Sequence, residues 1–358
     1  MDTVECRLTQ KVALTDLTYP ALQSWLASLG EPAYRAQQIH QWIYRALATD
    51  FAQMTNLPEK LQDKLAEAAS IAALRPLAHL LSPDGQTEKV LFELSDGQTI
   101  EGVLMLYDAR QTVCVSTQVG CPIGCPFCAT GRSGFCRNLT SGEIVDQVLH
   151  FARLQQAKSL HITNVVLMGM GEPLLNYEAM WQAIETLHDA RGFDLGARHF
   201  TISTAGVIPG IERLAQEALQ VGLAVSLHAA ADALRDQLLP LNKKYPLHEL
   251  IPACRRYVEQ TRRRITFEYA LIDRVNDEPA QARQLVHLLK GMLCHVNLIP
   301  LNPGGDGPYT ASPRPRVLAF QNELKRGGIA NTLRVGRGVE IKAGCGELRS
   351  RKREEYQP

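Results

Sequence analysis

Residues 112–128 read T-V-C-V-S-T-Q-V-G-C-P-I-G-C-P-F-C: a short apolar run rich in β-branched residues, then a loop crowding three cysteines, two prolines and a glycine together. The run has the character of a buried strand, and the loop that of a chemical site. Cys121, Cys125 and Cys128 form a C-x3-C-x2-C pattern. Three thiolates on one tight loop can each hold one iron of a cubic cluster, leaving a fourth iron open to a small molecule. Structural zinc is the competing reading, but it wants a fourth ligand, usually from a second C-x2-C pair, and the chain offers none.

Working outward, apolar strands alternate with amphipathic segments from residue 111 onward. The strands are expected at 112–116, 164–168, 199–203, 223–227, 265–271 and 296–301, with an extra one at 332–335. Strands separated by helical stretches such as 142–154 indicate repeated βα units, hence an α/β fold with a parallel sheet. The count predicts a partial (β/α)6 barrel and not a closed eight-stranded one. Unusual polar residues fall just after these strands: the cysteine loop, Gly169-Met170-Gly171-Glu172-Pro173, Ser203-Thr204, Ser226 with His228, and Asn302. Parallel barrels build their sites at C-terminal strand ends, so these placements point to one site at the barrel mouth.

Upstream, residues 1–75 read as helical, with Ile39, Trp42, Ile43, Ala46 and Leu47 on one face of a predicted helix over 36–47. Turn signals at Ser82-Pro83-Asp84-Gly85 and Ser95-Asp96-Gly97 make 76–110 a small β meander. The expected organisation is therefore a helical accessory unit (1–75), a β extension (76–110), the partial barrel (111–348) and a basic, polar tail (349–358). The 358 residues carry 45% hydrophobic and 21% charged residues, a globular composition that excludes disordered, collagenous and coiled-coil classes. No run approaches the roughly 18 apolar residues of a membrane span, and residues 1–17 are too charged for a signal peptide, so a cytoplasmic protein without a membrane partner is expected. Net charge is +1, yet residues 301–358 hold 11 Lys and Arg against 6 Asp and Glu. With Arg255, Arg256, Arg262, Arg263 and Arg264, this basic tail is a candidate contact for nucleic-acid phosphates. Nine cysteines, an odd count without export signals, argue against structural disulfides.

The cysteine loop resembles the signature of the radical S-adenosylmethionine superfamily. The resemblance narrows to the RlmN/Cfr family of RNA adenine methyltransferases through Y-R-A-Q-Q-I (34–39), C-V-S-T-Q-V-G-C (114–121), F-C-A-T-G (127–131), N-V-V-L-M-G-M-G-E-P (164–173), S-T-A-G (203–206), S-L-H-A (226–229), F-E-Y (267–269) and A-G-C-G-E-L (343–348). It implies one [4Fe-4S] cluster on Cys121, Cys125 and Cys128, and two molecules of S-adenosylmethionine per turnover, contacted by Gly171, Glu172, Ser203, Ser226, Leu227, His228 and Asn302. It also implies that Cys345 carries the methyl group, that Cys114 resolves the adduct through a transient disulfide, and that Glu101 accepts a proton. The implied reaction is methylation of carbon 2 of an adenine in 23S rRNA, before full ribosome assembly, and of the adenine 3′ to the anticodon in tRNA. The implied electron donor is a flavodoxin or ferredoxin, and the chain is expected to be a monomer.

Two alternatives stay open at this stage: methylation at carbon 8, and a non-enzymatic iron–sulfur protein that binds RNA. Cys6, Cys136, Cys254 and Cys294 match no motif. The chain also departs from the family near its C-terminus, where Val339, Gly344 and Glu347 replace the usual residues.

Overall fold

The computed structural model describes residues 11–302, 308–334 and 336–349, so Cys6 and all of the predicted basic tail except Arg349 lie outside the described residues. Its centre is one ten-stranded sheet in sequential order: β1 (Arg75–Leu81), β2 (Thr87–Glu93), β3 (Thr99–Tyr107), β4 (Arg110–Cys114), β5 (Asn164–Leu167), β6 (Phe200–Thr204), β7 (Gly222–Ser226), β8 (Ile265–Leu271), β9 (Cys294–Pro300) and β10 (Asn331–Leu333). The connections explain the two halves. Gly85 and Gly97, at φ +67° and +80°, close tight turns between β1, β2 and β3, so these pair antiparallel. From β4 onward every neighbouring pair is parallel, because a long crossover returns the chain to the same end each time. The central strands are buried: Val113, Val165, Ile202, Val225, Phe267 and Val296 have at most 2% exposure.

This is the α/β architecture with a run of parallel strands that the strand pattern predicts, with two adjustments. The extra strand, β10, continues the parallel run beside β9 as its seventh member. The meander is not a separate sheet: Val103 pairs with Cys114 across β3 and β4, which makes it the antiparallel flank of the barrel sheet.

Helices Tyr19–Ser28, Tyr34–Tyr44 and Glu59–Ala68 form the accessory unit around Leu22, Leu26, Ile39, Ile43, Leu61 and Leu65, all buried. The predicted helix over 36–47 ends early, at Tyr44. Leu47 adopts φ +59°, and Ala46 is exposed instead of joining the core. Arg45, exposed just past the helix end, donates to the carbonyls of Ala190 and Gly192. The unit docks on helix Ser141–Gln156, whose start is written in the sequence as the Thr140/Glu143 capping box. Asp16 accepts from the Gly142 N–H at 2.7 Å, and Arg153 donates to the Leu47 carbonyl at 3.0 Å.

Asp146 lies in this seam, 2% exposed, accepting from the Thr15 hydroxyl and the Ala73 N–H. Burial pushes its carboxyl up to about 7. An acid whose pKa is raised on folding keeps its proton in the folded state while the unfolded chain has lost it, so stability falls as pH rises from about 4 to 7. Asp146→Asn should therefore flatten the decline in thermal midpoint between pH 5 and pH 8, with a gain of a few kcal/mol at the upper end. Parallel melting profiles for the two proteins would contradict this.

Candidate functional site

The C-terminal ends of the parallel strands open into one cavity of about 160 Å³. Ten predicted site residues meet on its wall: Cys121, Cys125, Cys128, Gly171, Glu172, Ser203, Ser226, His228, Asn302 and Cys345. Three do not. Cys114 opens instead onto a neighbouring cavity of about 60 Å³, whose wall it shares with Cys345. The Leu227 side chain is buried in the core, and its N–H is bound to the Glu268 carbonyl at 2.9 Å. Glu101 is fully buried: one carboxylate oxygen lies 3.2 Å from the Lys89 ammonium, and the other accepts from the Arg349 N–H at 3.0 Å. Glu101 thus stands behind the cavity wall, bound to Lys89 and to the chain just beyond Cys345.

Close backbone contacts shape the cysteine loop. It springs from a hairpin of Gln118–Gly120 against Phe135–Asn138. Gly120 has φ +76°, and a Cβ there would fall 2.0 Å from the Gly134 carbonyl oxygen; a Cβ on Gly131 would meet the Cys125 nitrogen at 2.7 Å. Only glycine permits such approaches. Burial pushes the Cys121 thiol up to about 12 and raises Cys125 as well, the latter also through its neighbours Cys128 and Cys121. The three thiols share one loop on the cavity wall. Among the described residues no three ligating side chains converge on a single ion. A cluster that takes one thiolate per iron suits this spread better than zinc does. The superfamily's [4Fe-4S] cluster and S-adenosylmethionine fit this wall.

Polar groups are aimed at the cavity from the strand ends. Glu172 is buried, accepts from the Leu174 and Ala205 N–H groups at 3.1 and 2.7 Å, and is pushed up to about 7 by burial. His228 sits at φ +57°, its Nδ1 accepting from the Ala270 N–H at 3.0 Å. Burial, aided by Arg235, holds it down at about 3, so the ring is neutral and Nε2 carries the proton. Arg235, absent from the sequence reading, is the fully buried cation behind this wall. Its guanidinium donates to the carbonyls of Ala205, Ser226 and Leu227 and to Asn242, binding the ends of β6 and β7 together.

The segment carrying Cys345 crosses over the cysteine loop. The Ala129 N–H donates to the Gly346 carbonyl at 2.7 Å, and Asn302 Nδ2 to the Cys345 carbonyl at 3.2 Å. The departure at 344 has a steric reason, because a Cβ there would lie 2.1 Å from Asn302 Nδ2. Glu347, the neighbouring departure, accepts from the Gly344 N–H at 2.8 Å. Arg334, also missed by the sequence reading, places Nη1 3.9 Å from Cys345 Sγ and 3.9 Å from Glu268, whose other oxygen accepts from Asn297 at 2.9 Å. Burial raises the Cys345 thiol and Arg334 opposes that rise.

The cluster of arginines near residue 260 does not reach this site. Arg264 precedes β8, whereas Glu268 and Ala270, further along the same strand, line the cavity. Arg255 and Arg263 donate to backbone carbonyls, and Arg256 pairs with Glu212. Arg262 and Arg264 are exposed beside them, so the cluster forms a partly exposed basic face at the end of the strands opposite the cavity.

Removing the Arg334 charge should lift the Cys345 pKa further and slow its alkylation. Iodoacetamide labelling of Cys345 at pH 8, followed by peptide mass, should drop about three- to tenfold in Arg334→Gln. An unchanged rate would mean that the guanidinium does not act on the sulfur.

Comparison with known proteins places the chain. Residues 12–71 match the family model of the ribosomal RNA large subunit methyltransferase N-terminal domain, and residues 115–286 match the radical SAM superfamily. A probable dual-specificity RNA methyltransferase RlmN of Geobacillus thermodenitrificans is 45% identical, over 99% of this chain and 97% of that protein. The corresponding protein of Chloroflexus aurantiacus is 48% identical, over 97% and 94%. The crystal structure of a radical SAM methyltransferase from Sphaerobacter thermophilus superposes with a TM-score of 0.93 at 52% identity, covering 94% of this chain and 99% of that one. With its three cluster cysteines at the strand ends and relatives matched end to end, the chain belongs to the RlmN family of radical S-adenosylmethionine methyltransferases.

Proposed function

We propose that this enzyme methylates carbon 2 of an adenine in 23S rRNA, and of the adenine 3′ to the anticodon in tRNA, through S-methylated Cys345 and a transient Cys114–Cys345 disulfide. The observation that carries the reading is the position of Cys345 on a wall common to two cavities, one lined by the cluster cysteines and the other by Cys114. Relatives named as dual-specificity RNA methyltransferases support the two substrates.

Carbon 2 of adenine lies between two ring nitrogens and is electron-poor, so it does not attack a methyl sulfonium as a nucleophile would. When bound, the cluster and two equivalents of S-adenosylmethionine supply the methyl group and the radical that activates it, the electron coming from a flavodoxin- or ferredoxin-class donor. The chain's own residues do the rest. Cys121, Cys125 and Cys128 would hold the cluster, while Glu172, Ser203, Ser226, His228 and Asn302 would hold S-adenosylmethionine, with Gly171 allowing its close approach.

Cys345 presents the methyl carbon to the base as a thioether; that carbon gives up one hydrogen atom to the radical and bonds to carbon 2, whose own hydrogen leaves as a proton while one electron is returned, so that the base is joined to the sulfur through a methylene group. The Cys114 thiolate then attacks that sulfur. The sulfur–methylene bond breaks, the carbon keeps the electron pair and gains a proton to become the product methyl, and the two cysteines are left as a disulfide for a thiol reductant to reopen. Burial pushes the Cys114 thiol up to about 12. Its attack must therefore be coupled to loss of its proton, and water exclusion keeps it idle until the adduct forms.

The target adenine has to leave its stack to reach the cavity, which favours loops and incompletely folded RNA. We assign RNA contact to the accessory helical unit, with the enzyme acting in the cytoplasm as a monomer. Carbon-8 methylation is the second reading, motivated by the departures at Val339, Gly344 and Glu347 beside Cys345.

The route separates the two cysteines in experiment. Cys114→Ala should accumulate a covalent RNA–protein adduct that leaves a nucleotide mass on the Cys345 peptide after nuclease digestion. Cys345→Ala should form neither adduct nor product, and methyl transfer by that variant would sink the covalent route.

A further inference from the structure

Lys89 and Glu101 form an ion pair at 3.2 Å with both side chains sealed from solvent, 1% and 0% exposed. They sit diagonally on one face of β2 and β3, since Glu101 pairs with Leu91 and Lys89 with Val103. An ion pair removed from water this completely recovers little net stability over an apolar pair of the same shape. Two further hydrogen bonds are more informative, because among the described residues they run to one distant segment. Lys89 Nζ donates to the Lys342 carbonyl at 3.1 Å, and Glu101 accepts from the Arg349 N–H at 3.0 Å. Cys345 lies between those two anchor points. Lys342 is held at φ +52°, a left-handed conformation that an L side chain adopts at a cost.

We propose that Lys89 and Glu101 are positioning residues that grip the Cys345 segment at both ends, and that Glu101 acts through this loop rather than as a base touching the adenine. The inference deepens the proposed mechanism and rests on its assignment of Cys345. That sulfur must serve two neighbours in turn, the methyl donor in the larger cavity and Cys114 in the smaller one. A loop flanked by Gly344 and Gly346 has the freedom to wander between them and beyond. The buried pair limits that freedom: its two hydrogen bonds fix the ends of the segment while the glycines let the centre pivot. Charges serve here because each offers one bond to its partner and another to the loop, in a site too dry for water to compete.

The test uses the full-length protein and a readout independent of methyl transfer. Lys89→Met/Glu101→Leu removes both charges of the pair together. Diamide oxidation without RNA, scored by peptide mass, should form the Cys114–Cys345 disulfide at least tenfold more slowly in this double variant. Amide exchange over 341–349 should accelerate, while the thermal midpoint stays within a few degrees of the parent. Glu101→Gln, which keeps an acceptor for the Arg349 N–H but cannot take up a proton at neutral pH, should restore the disulfide rate to within about threefold. Parent-like disulfide formation and exchange in the double variant would overturn the inference and return Glu101 to a proton-accepting role. Failure of the proposed function would show separately, as a parent protein in which Cys345 is never methylated while the disulfide and exchange results still hold.

Discussion

Seven neighbouring strands running the same way impose the constraint on which everything else in this molecule rests. A parallel sheet delivers each C-terminal strand end to the same edge, and each delivery costs a crossover helix and a large sequence separation. Residues as distant as Cys121, Glu172, Ser203, His228 and Asn302 thereby become neighbours around one cavity. The backbone at that edge turns abruptly, and its carbonyls need partners. Arg235 answers for the ends of β6 and β7 by donating to three of them from full burial. The cavity wall is thus held by a cation that no ligand needs to touch.

A second requirement pulls against this rigidity. In the proposed route the sulfur of Cys345 meets different partners in turn, which calls for a segment kept out of the sheet. The molecule answers by laying the segment across the cysteine loop and fastening it from several sides: Ala129 and Thr130 from below, Asn302 from the end of β9, and the Lys89–Glu101 pair from the meander. The antiparallel flank β1–β3 is thereby a mount for the catalytic loop as well as an extension of the sheet. Arg334 and Glu268 complete the surroundings, setting a positive and a negative charge close to a thiol that burial alone would keep protonated.

Much of this was legible in the residues. The parallel strands announce themselves as apolar runs of the right length, and the cysteine spacing is a local pattern that needs no fold to be seen. Properties that depend on distant partners were not legible. Arg235 sits in an ordinary helical stretch, and its role appears only when β6 and β7 are brought side by side. Glu268 reads as one polar residue in a buried strand until Asn297 and Arg334 arrive from β9 and from the chain beyond β10. The arginines near 260 illustrate the converse: a charge cluster in sequence does not say which end of a strand it occupies, and here Arg255 and Arg263 spend donors on backbone carbonyls while Arg262 and Arg264 stay exposed. The early helix end at Tyr44 likewise follows from a left-handed Leu47 that periodicity cannot register.

The central claim is that this arrangement delivers a methyl group to carbon 2 of adenine. Nucleoside mass spectrometry with chromatographic standards, on rRNA and tRNA from a host lacking its own enzyme and expressing this chain, tests it most directly. The account predicts 2-methyladenosine in both RNA pools. Finding 8-methyladenosine, or no methylated adenosine from protein carrying an intact cluster, would contradict it.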